Sequence, residues 1–206
     1  SGALVKVEAK VILDGGAYVS TTSAVLANAC CFSVGPYRVP NALIEGWGVR
    51  TNNPPCGAMR GFGNVQTCFA AEAQMDKLAK ALSLDPVEFR LLNALETGDI
   101  LITGQEITGT APVKEVLTSL AQYPLPEPTE GDLLDLPGGT GRTTDKSHVK
   151  RGVGYAASIK NLMFSEGFDD FSEARCIVTD GKVLIKSACV GVGQGFVTLV
   201  GQIVEE

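Results

Sequence analysis

Two glycine-rich stretches carry the residue types best suited to chemistry: Gly57-Ala58-Met59-Arg60-Gly61-Phe62-Gly63-Asn64 and Gly191-Val192-Gly193-Gln194-Gly195. Each precedes a segment with helical periodicity. Unpaired backbone N–H groups and the positive end of a helix dipole would then face each loop, which suits an anion such as a phosphate. Arg60 adds a rigid fork of donors, and Phe62 a flat apolar face beside it. The plainer reading is that the glycines only make turns, with Arg60 solvated and Phe62 in the core. Neither stretch is a Walker A loop, and Gly191-Val192-Gly193 lacks the third glycine of the dinucleotide fingerprint.

Other constellations are weaker. There is no G-x-S-x-G elbow, and the single histidine, His148, sits among prolines, glycines and acids, where a surface role is expected. Glu166, Asp169, Asp170 and Glu173 lack the alternating ligands of a calcium loop and read as a solvated edge. The cysteines at 30, 31, 56, 68, 176 and 189 contain no C-x-x-C pair, so no metal site is expected and the thiols read as reduced, structural and mostly buried. No catalytic residue is identified.

The elements that would position the two loops follow from period and punctuation. Odd positions from Ala3 to Leu13 are apolar and Lys6, Glu8 and Lys10 alternate with them, which predicts a half-buried strand ended by Asp14-Gly15-Gly16. Residues 17–32 are small and apolar without a sharp period. Ala42 to Val49 predicts another strand, and the loop Thr51-Asn52-Asn53-Pro54-Pro55-Cys56-Gly57 follows, closed to helix or central strand by its prolines. Val65, Cys68, Phe69, Met75, Leu78 and Leu82 predict a helix from about Asn64 to Leu82. Asp85-Pro86-Val87-Glu88 is a helix start, with an end near Thr97-Gly98. Ala174 to Thr179 and Lys182 to Ala188 flank Asp180-Gly181 as a hairpin, and a helix runs from Val197 to Glu206.

The class is α+β, with one subdomain over 1–122, an exposed Pro/Gly/acid connector over 123–150 and a second subdomain over 151–206. Of 206 residues, 17 are Lys or Arg and 23 Asp or Glu, a net charge of −6 that argues against a nucleic-acid partner. Apolar residues make up 45% and charged ones 19%, the balance of a folded domain. No apolar run approaches the ~20 residues of a membrane helix. The chain stops at Val204-Glu205-Glu206 within a helical pattern, so a fragment is expected.

In order, Asp14-Gly15-Gly16-Ala17-Tyr18, Gly35-Pro36-Tyr37-x-Val39-Pro40, Thr51-Asn52-x-Pro54-Pro55-x-Gly57-Ala58-Met59-Arg60-Gly61-Phe62-Gly63 and Gly193-Gln194-Gly195 resemble the molybdenum-binding subunit of the xanthine dehydrogenase and aldehyde oxidase family. The likeness is greatest to bacterial xanthine dehydrogenases, to which Ser165-Glu166-Gly167-Phe168-Asp169-Asp170 adds; no cysteine follows Arg60, unlike carbon monoxide dehydrogenases. The resemblance implies two-layer α/β subdomains of the molybdopterin-binding type. It also implies a molybdenum–pterin cofactor, iron–sulfur clusters and FAD on partner subunits or domains, and the rest of the large subunit as a further partner. Arg60, Gln194 and Val192 match cofactor-side positions, and Phe62 matches an aromatic that packs on a planar heterocycle. Asn28 falls where many xanthine-oxidising relatives carry an arginine, and Met163 to Phe168 near another substrate-lining stretch. The implied activity is hydroxylation of a purine such as xanthine or hypoxanthine with oxygen from water, in the cytoplasm. The family's catalytic glutamate would lie beyond Glu206, so the chain alone is expected to be inactive. The rival expectation is a non-catalytic protein-interaction domain.

Overall fold

The computed structural model describes residues 1–125, 150, 152–161 and 171–205. His148, Glu166, Asp169, Asp170, Met163 to Phe168 and nearly all of the stretch 123–150 expected to be a connector lie outside the described residues.

The chain opens with a parallel β–α–β unit: β1 (Val7–Gly16), α1 (Thr22–Cys31) and β2 (Ala42–Arg50). Parallel pairing needs a crossover, and α1 supplies it across one face of the pair. On that face Val7, Ala9, Val11 and Leu13 align with Ala42, Ile44, Gly46 and Gly48. Gly46 lets the layers meet: a Cβ there would stand 2.6 Å from Cys30 Sγ. On the opposite face Lys10 Nζ lies 4.6 Å from the centre of the Trp47 ring. The alternation expected from Ala3 is present, but β1 starts at Val7 and does not stop at Asp14. Gly16 pairs with Arg50 across an irregularity between Asp14 and Gly16, so the expected turn residues form the bulged end of the strand. Helix α1 has no periodic signal because it is covered nearly all round; Ser23 is its only exposed residue.

Helix α2 (Asn64–Leu82) has the span its periodicity predicts. It is followed by α3 (Pro86–Asn93), where the Asp85 carboxylate accepts from the N–H groups of Val87 at 2.7 Å and Glu88 at 3.0 Å. Helix α3 ends before the expected Thr97-Gly98. Ala94 turns extended and bridges to Tyr37, while Arg38 N donates to Asn93 O at 2.8 Å and Leu95 N to Pro36 O at 3.0 Å. Tertiary pairing overrides local helix propensity here. Helix α4 (Val113–Ala121) has no counterpart among the expected elements. Strands β3 (Ala174–Thr179) and β4 (Lys182–Ser187) form the predicted hairpin, with positive φ at Asp180 and Gly181, and α5 (Phe196–Glu205) follows. Helices packed on small sheets make the α+β class. Among the described residues no helix is long and apolar enough to cross a membrane. All six thiols are free, but Cys56, Cys176 and Cys189 are exposed and the others half-buried, so they are not the buried thiols expected.

Val34, Tyr37, Val39, Met75, Ala79 and Phe89 form the core. Running through it is a buried polar network. Arg90 has no exposure to water; its Nε donates to Glu72 Oε2 at 2.8 Å, and its other nitrogens donate to Asp76 Oδ1 at 2.8 Å, Pro86 O at 3.0 Å and Glu72 O at 3.3 Å. Tyr37 OH donates to Glu72 Oε1 at 2.5 Å. The network joins α2, α3 and the Gly35–Pro40 turn.

Removing one partner from such a network leaves a buried charge uncompensated, at a cost of about 3–5 kcal/mol. Asp76 would still serve Arg90, so Glu72→Gln is expected near the lower end, about 3 kcal/mol, read as a lower urea midpoint. Burial, and then the Glu72 hydrogen bond and charge, push the Tyr37 hydroxyl well above its ordinary value. A group raised in the folded state contributes fully below its unfolded pKa, about 10 for tyrosine, and loses that contribution as pH rises further. The urea midpoint should therefore fall more steeply above about pH 10 in the wild type than in Tyr37→Phe.

Candidate functional site

The carboxyl ends of parallel strands leave an open crevice where ligands of α/β units bind. Here that end carries Asp14, Gly15 and Gly16 from β1 and the 51–57 loop after β2. Ala17 N donates to Asn53 O at 3.0 Å, Thr51 N to Gly16 O at 3.2 Å and Cys56 N to Gly15 O at 3.3 Å, so the loop lies against the end of β1. Thr22 Oγ1 donates to Cys56 O at 2.9 Å, which ties it to the start of α1.

From this anchored segment the chain enters the Arg60 loop. Phe62 N donates to Met59 O at 2.8 Å and Asn64 N to Gly61 O at 3.0 Å, two tight turns in succession. Gly61 and Gly63 take positive φ, and so does Phe62, at +50°. Left-handed backbone at a bulky aromatic is strained and persists only where its surroundings impose it. Gly63 is held against α1, where a Cβ would stand 2.5 Å from Val25 O. Phe62 is half-buried, neither free in solvent nor a full core residue.

The second loop meets the first. Arg60 Nη1 donates to Gly193 O at 3.2 Å, across 133 residues of sequence. Gln194 does not reach outward: its Oε1 accepts from Val192 N at 2.6 Å and its Nε2 donates to Val190 O at 2.8 Å, which braces its own loop. Val192 is exposed. A Cβ on Gly191 or Gly195 would meet nothing within 4 Å, and one on Gly193 would stand 3.6 Å from Arg60 Nη1, so this loop is open around its contact with the guanidinium. A cation, a strained aromatic and an open glycine loop suit an anionic, hydrogen-bonding ligand with a planar portion. Among the described residues no group of three or more His, Cys, Asp or Glu could hold a metal ion.

Asn28 is buried on α1, and its Nδ2 donates to Asn161 Oδ1 at 3.3 Å. The extended 152–161 stretch that brings Asn161 also meets α2: Asn64 Nδ2 donates to Ile159 O at 2.6 Å and Cys68 Sγ to Ala157 O at 3.6 Å. Lys160 Nζ lies 5.6 Å from the Phe32 ring centre, and partial burial lowers its pKa. Sequence reasoning missed Lys160 and Asn161, and it named Asn64 only as the end of the first glycine-rich stretch and the start of a helix. The only signal for this stretch is its alternation, with Tyr155, Ala157, Ile159 and Asn161 inward and their neighbours exposed.

Residues 1–94 match the molybdopterin cofactor-binding domain, which sets the class of the β1–α1–β2 unit and its loops. The chain is 30% identical over its whole length to a probable xanthine dehydrogenase subunit of Bacillus subtilis, covering 26% of that protein. Over 116 residues, 56% of this chain and 27% of the relative, it is 43% identical to the nicotinate dehydrogenase large molybdopterin subunit of Eubacterium barkeri. It also resembles the solved aldehyde oxidoreductase from Desulfovibrio gigas, with a TM-score of 0.56 and 33% identity over 58% of this chain and 13% of that one. Residues 1–94 are a molybdopterin cofactor-binding domain, and the chain as a whole resembles a stretch of the molybdenum-binding subunits of the xanthine dehydrogenase and aldehyde oxidase family. It spans about a quarter of the length of the two curated relatives.

Two glycines separate backbone strain from steric fit. Gly98 has φ +90° with open space around its Cβ position, so Gly98→Ala should cost only the backbone penalty, about 1–2 kcal/mol. Gly63→Ala adds a collision with Val25 O and should lose at least about 1 kcal/mol more, read from paired urea titrations.

Proposed function

We propose that this chain forms part of the cofactor cradle of a molybdenum hydroxylase subunit, and that the Arg60 loop and the Gly191–Gly195 loop face one molybdenum–pterin unit. The Arg60–Gly193 hydrogen bond is the observation that carries this reading, because it joins two distant glycine loops at one place. The bound unit supplies the redox and oxygen-transfer chemistry, and the protein supplies its placement. Arg60 offers donors to an anionic edge. Gln194 acts indirectly, by holding the Val190–Val192 backbone in shape so that the remaining peptide groups face the ligand. Val192 contributes apolar cover. Phe62 packs on the ring of a substrate, and Asn28 governs that side of the pocket through its contact with Asn161.

The substrate proposed is a purine such as xanthine or hypoxanthine, hydroxylated with oxygen from water. The alignment of this chain to about a quarter of a probable xanthine dehydrogenase subunit supports a heterocycle of this kind, and the nicotinate relative widens the class to other electron-poor nitrogen rings. Asn28 brings no positive charge to stabilise negative charge on the ring, so hydrogen bonding and stacking would carry recognition. The general base lies elsewhere in the subunit. Electrons leave through iron–sulfur and FAD partners in a cytoplasmic assembly, and the isolated chain is inactive. Alignment of the whole chain to an oxidoreductase subunit weighs against a free-standing interaction domain.

Molybdenum content of the purified full-length subunit tests this reading. Arg60→Ala should weaken cofactor retention roughly ten- to a hundredfold, the effect of deleting a charged donor of about 1.5–3 kcal/mol, read as lower metal per protein with an unchanged urea midpoint. Equal metal content in wild type and variant would contradict it.

A further inference from the structure

We propose that Asp14 is the positioning residue of the Arg60 loop: its carboxylate clamps the proline-containing 51–57 segment to the end of β1 and so sets where Arg60 stands. This inference rests on the cofactor reading of that loop. Asp14 Oδ1 accepts from Gly16 N at 2.9 Å and from Thr51 Oγ1 at 2.5 Å, and Oδ2 accepts from Asn53 Nδ2. Thr51 Oγ1 in turn accepts from Asn53 N at 3.2 Å. One carboxylate therefore gathers three donors from the strand end and the loop.

The segment needs such an acceptor. Pro54 and Pro55 have no N–H to give, so a loop through them cannot fasten itself with backbone donors at those positions. It passes flush with the strand, where a Cβ on Gly16 would stand 2.7 Å from Pro55 Cα. The fixed part ends at Cys56, four residues before Arg60, so the Arg60 Cα can lie at most about 14 Å from the Cys56 Cα. An ionised carboxylate only accepts hydrogen bonds, whereas an asparagine would turn an NH2 toward one of the three donors. The same contacts, Thr51 first and then Asn53 and Gly16 N, hold the Asp14 carboxyl below its ordinary pKa. Asp14 touches neither Arg60 nor the open space beside it in any hydrogen bond described, so its action is through the loop.

Hydrogen exchange and molybdenum content, measured on the same full-length subunit, test the proposal in wild type, Asp14→Asn, Asp14→Ala and Arg60→Ala. Protection at Thr51, Asn53 and Cys56 should fall roughly tenfold in Asp14→Ala and less in Asp14→Asn, which keeps part of the acceptor. Protection around Glu72 and Arg90 should not change. Metal content should fall in the same graded order, a rescue by the conservative variant that general destabilisation would not produce. Unchanged loop protection in Asp14→Ala would overturn the proposal. So would lost protection with full metal content in Asp14→Ala, provided Arg60→Ala loses metal. If Arg60→Ala keeps its metal, the cofactor reading fails, and the clamp is then judged on loop protection alone.

Discussion

Arg90 is a guanidinium sealed from water, and four of its N–H groups are committed to Glu72, Asp76 and Pro86. A buried charge of this kind is tolerable only when its hydrogen-bonding capacity is met, and meeting it fixes the pieces that supply the acceptors. Glu72 fixes α2, Pro86 the start of α3, and Tyr37, through Glu72, the turn between α1 and β2. Helix α2 begins at the end of the Arg60 loop, and the Tyr37 turn leads into β2, whose far end begins the 51–57 segment. Both sides of that loop therefore hang from elements held by one ionic network.

The parallel pair sets the rest. Strands that run in the same direction bring their carboxyl ends to one side, and Asp14 and the proline loop that leads on to Arg60 and the strained Phe62 lie there. The glycines in this region do different work. Gly16 and Gly63 permit close backbone approach within the fold, while Gly191 and Gly195 leave open space on the loop whose Gly193 meets Arg60. Three of the residues singled out for binding thus act differently from one another. Arg60 spans the two loops, Gln194 supports its own, and Asn28 is tucked beneath the 152–161 stretch.

Much of this is legible in the sequence where local chemistry decides structure. The Asp85-Pro86 start, the Asp180-Gly181 hairpin and the span of α2 depend on caps, turn residues and a single apolar stripe, all local signals. Helix α1 is invisible there because a helix surrounded by protein has no polar face to set a period. The end of α3 falls short of its expected place because the pairing of Ala94 with Tyr37 is tertiary. The order of the glycine motifs points to the family, but periodicity alone cannot say that the Arg60 and Gly193 loops touch. Nor can it show that Tyr37, within one of those motifs, serves the core by its bond to Glu72.

The claim on which the functional reading turns is that two loops 133 residues apart face a single metal-bearing ligand. Anomalous diffraction at the molybdenum edge, from crystals of the full-length subunit, would locate that metal directly. The expected result is one strong peak in the open space bordered by Arg60 and the Gly191–Gly195 backbone. A peak in a different cleft, with Arg60 still bonded to Gly193 and nothing bound beside them, would contradict it.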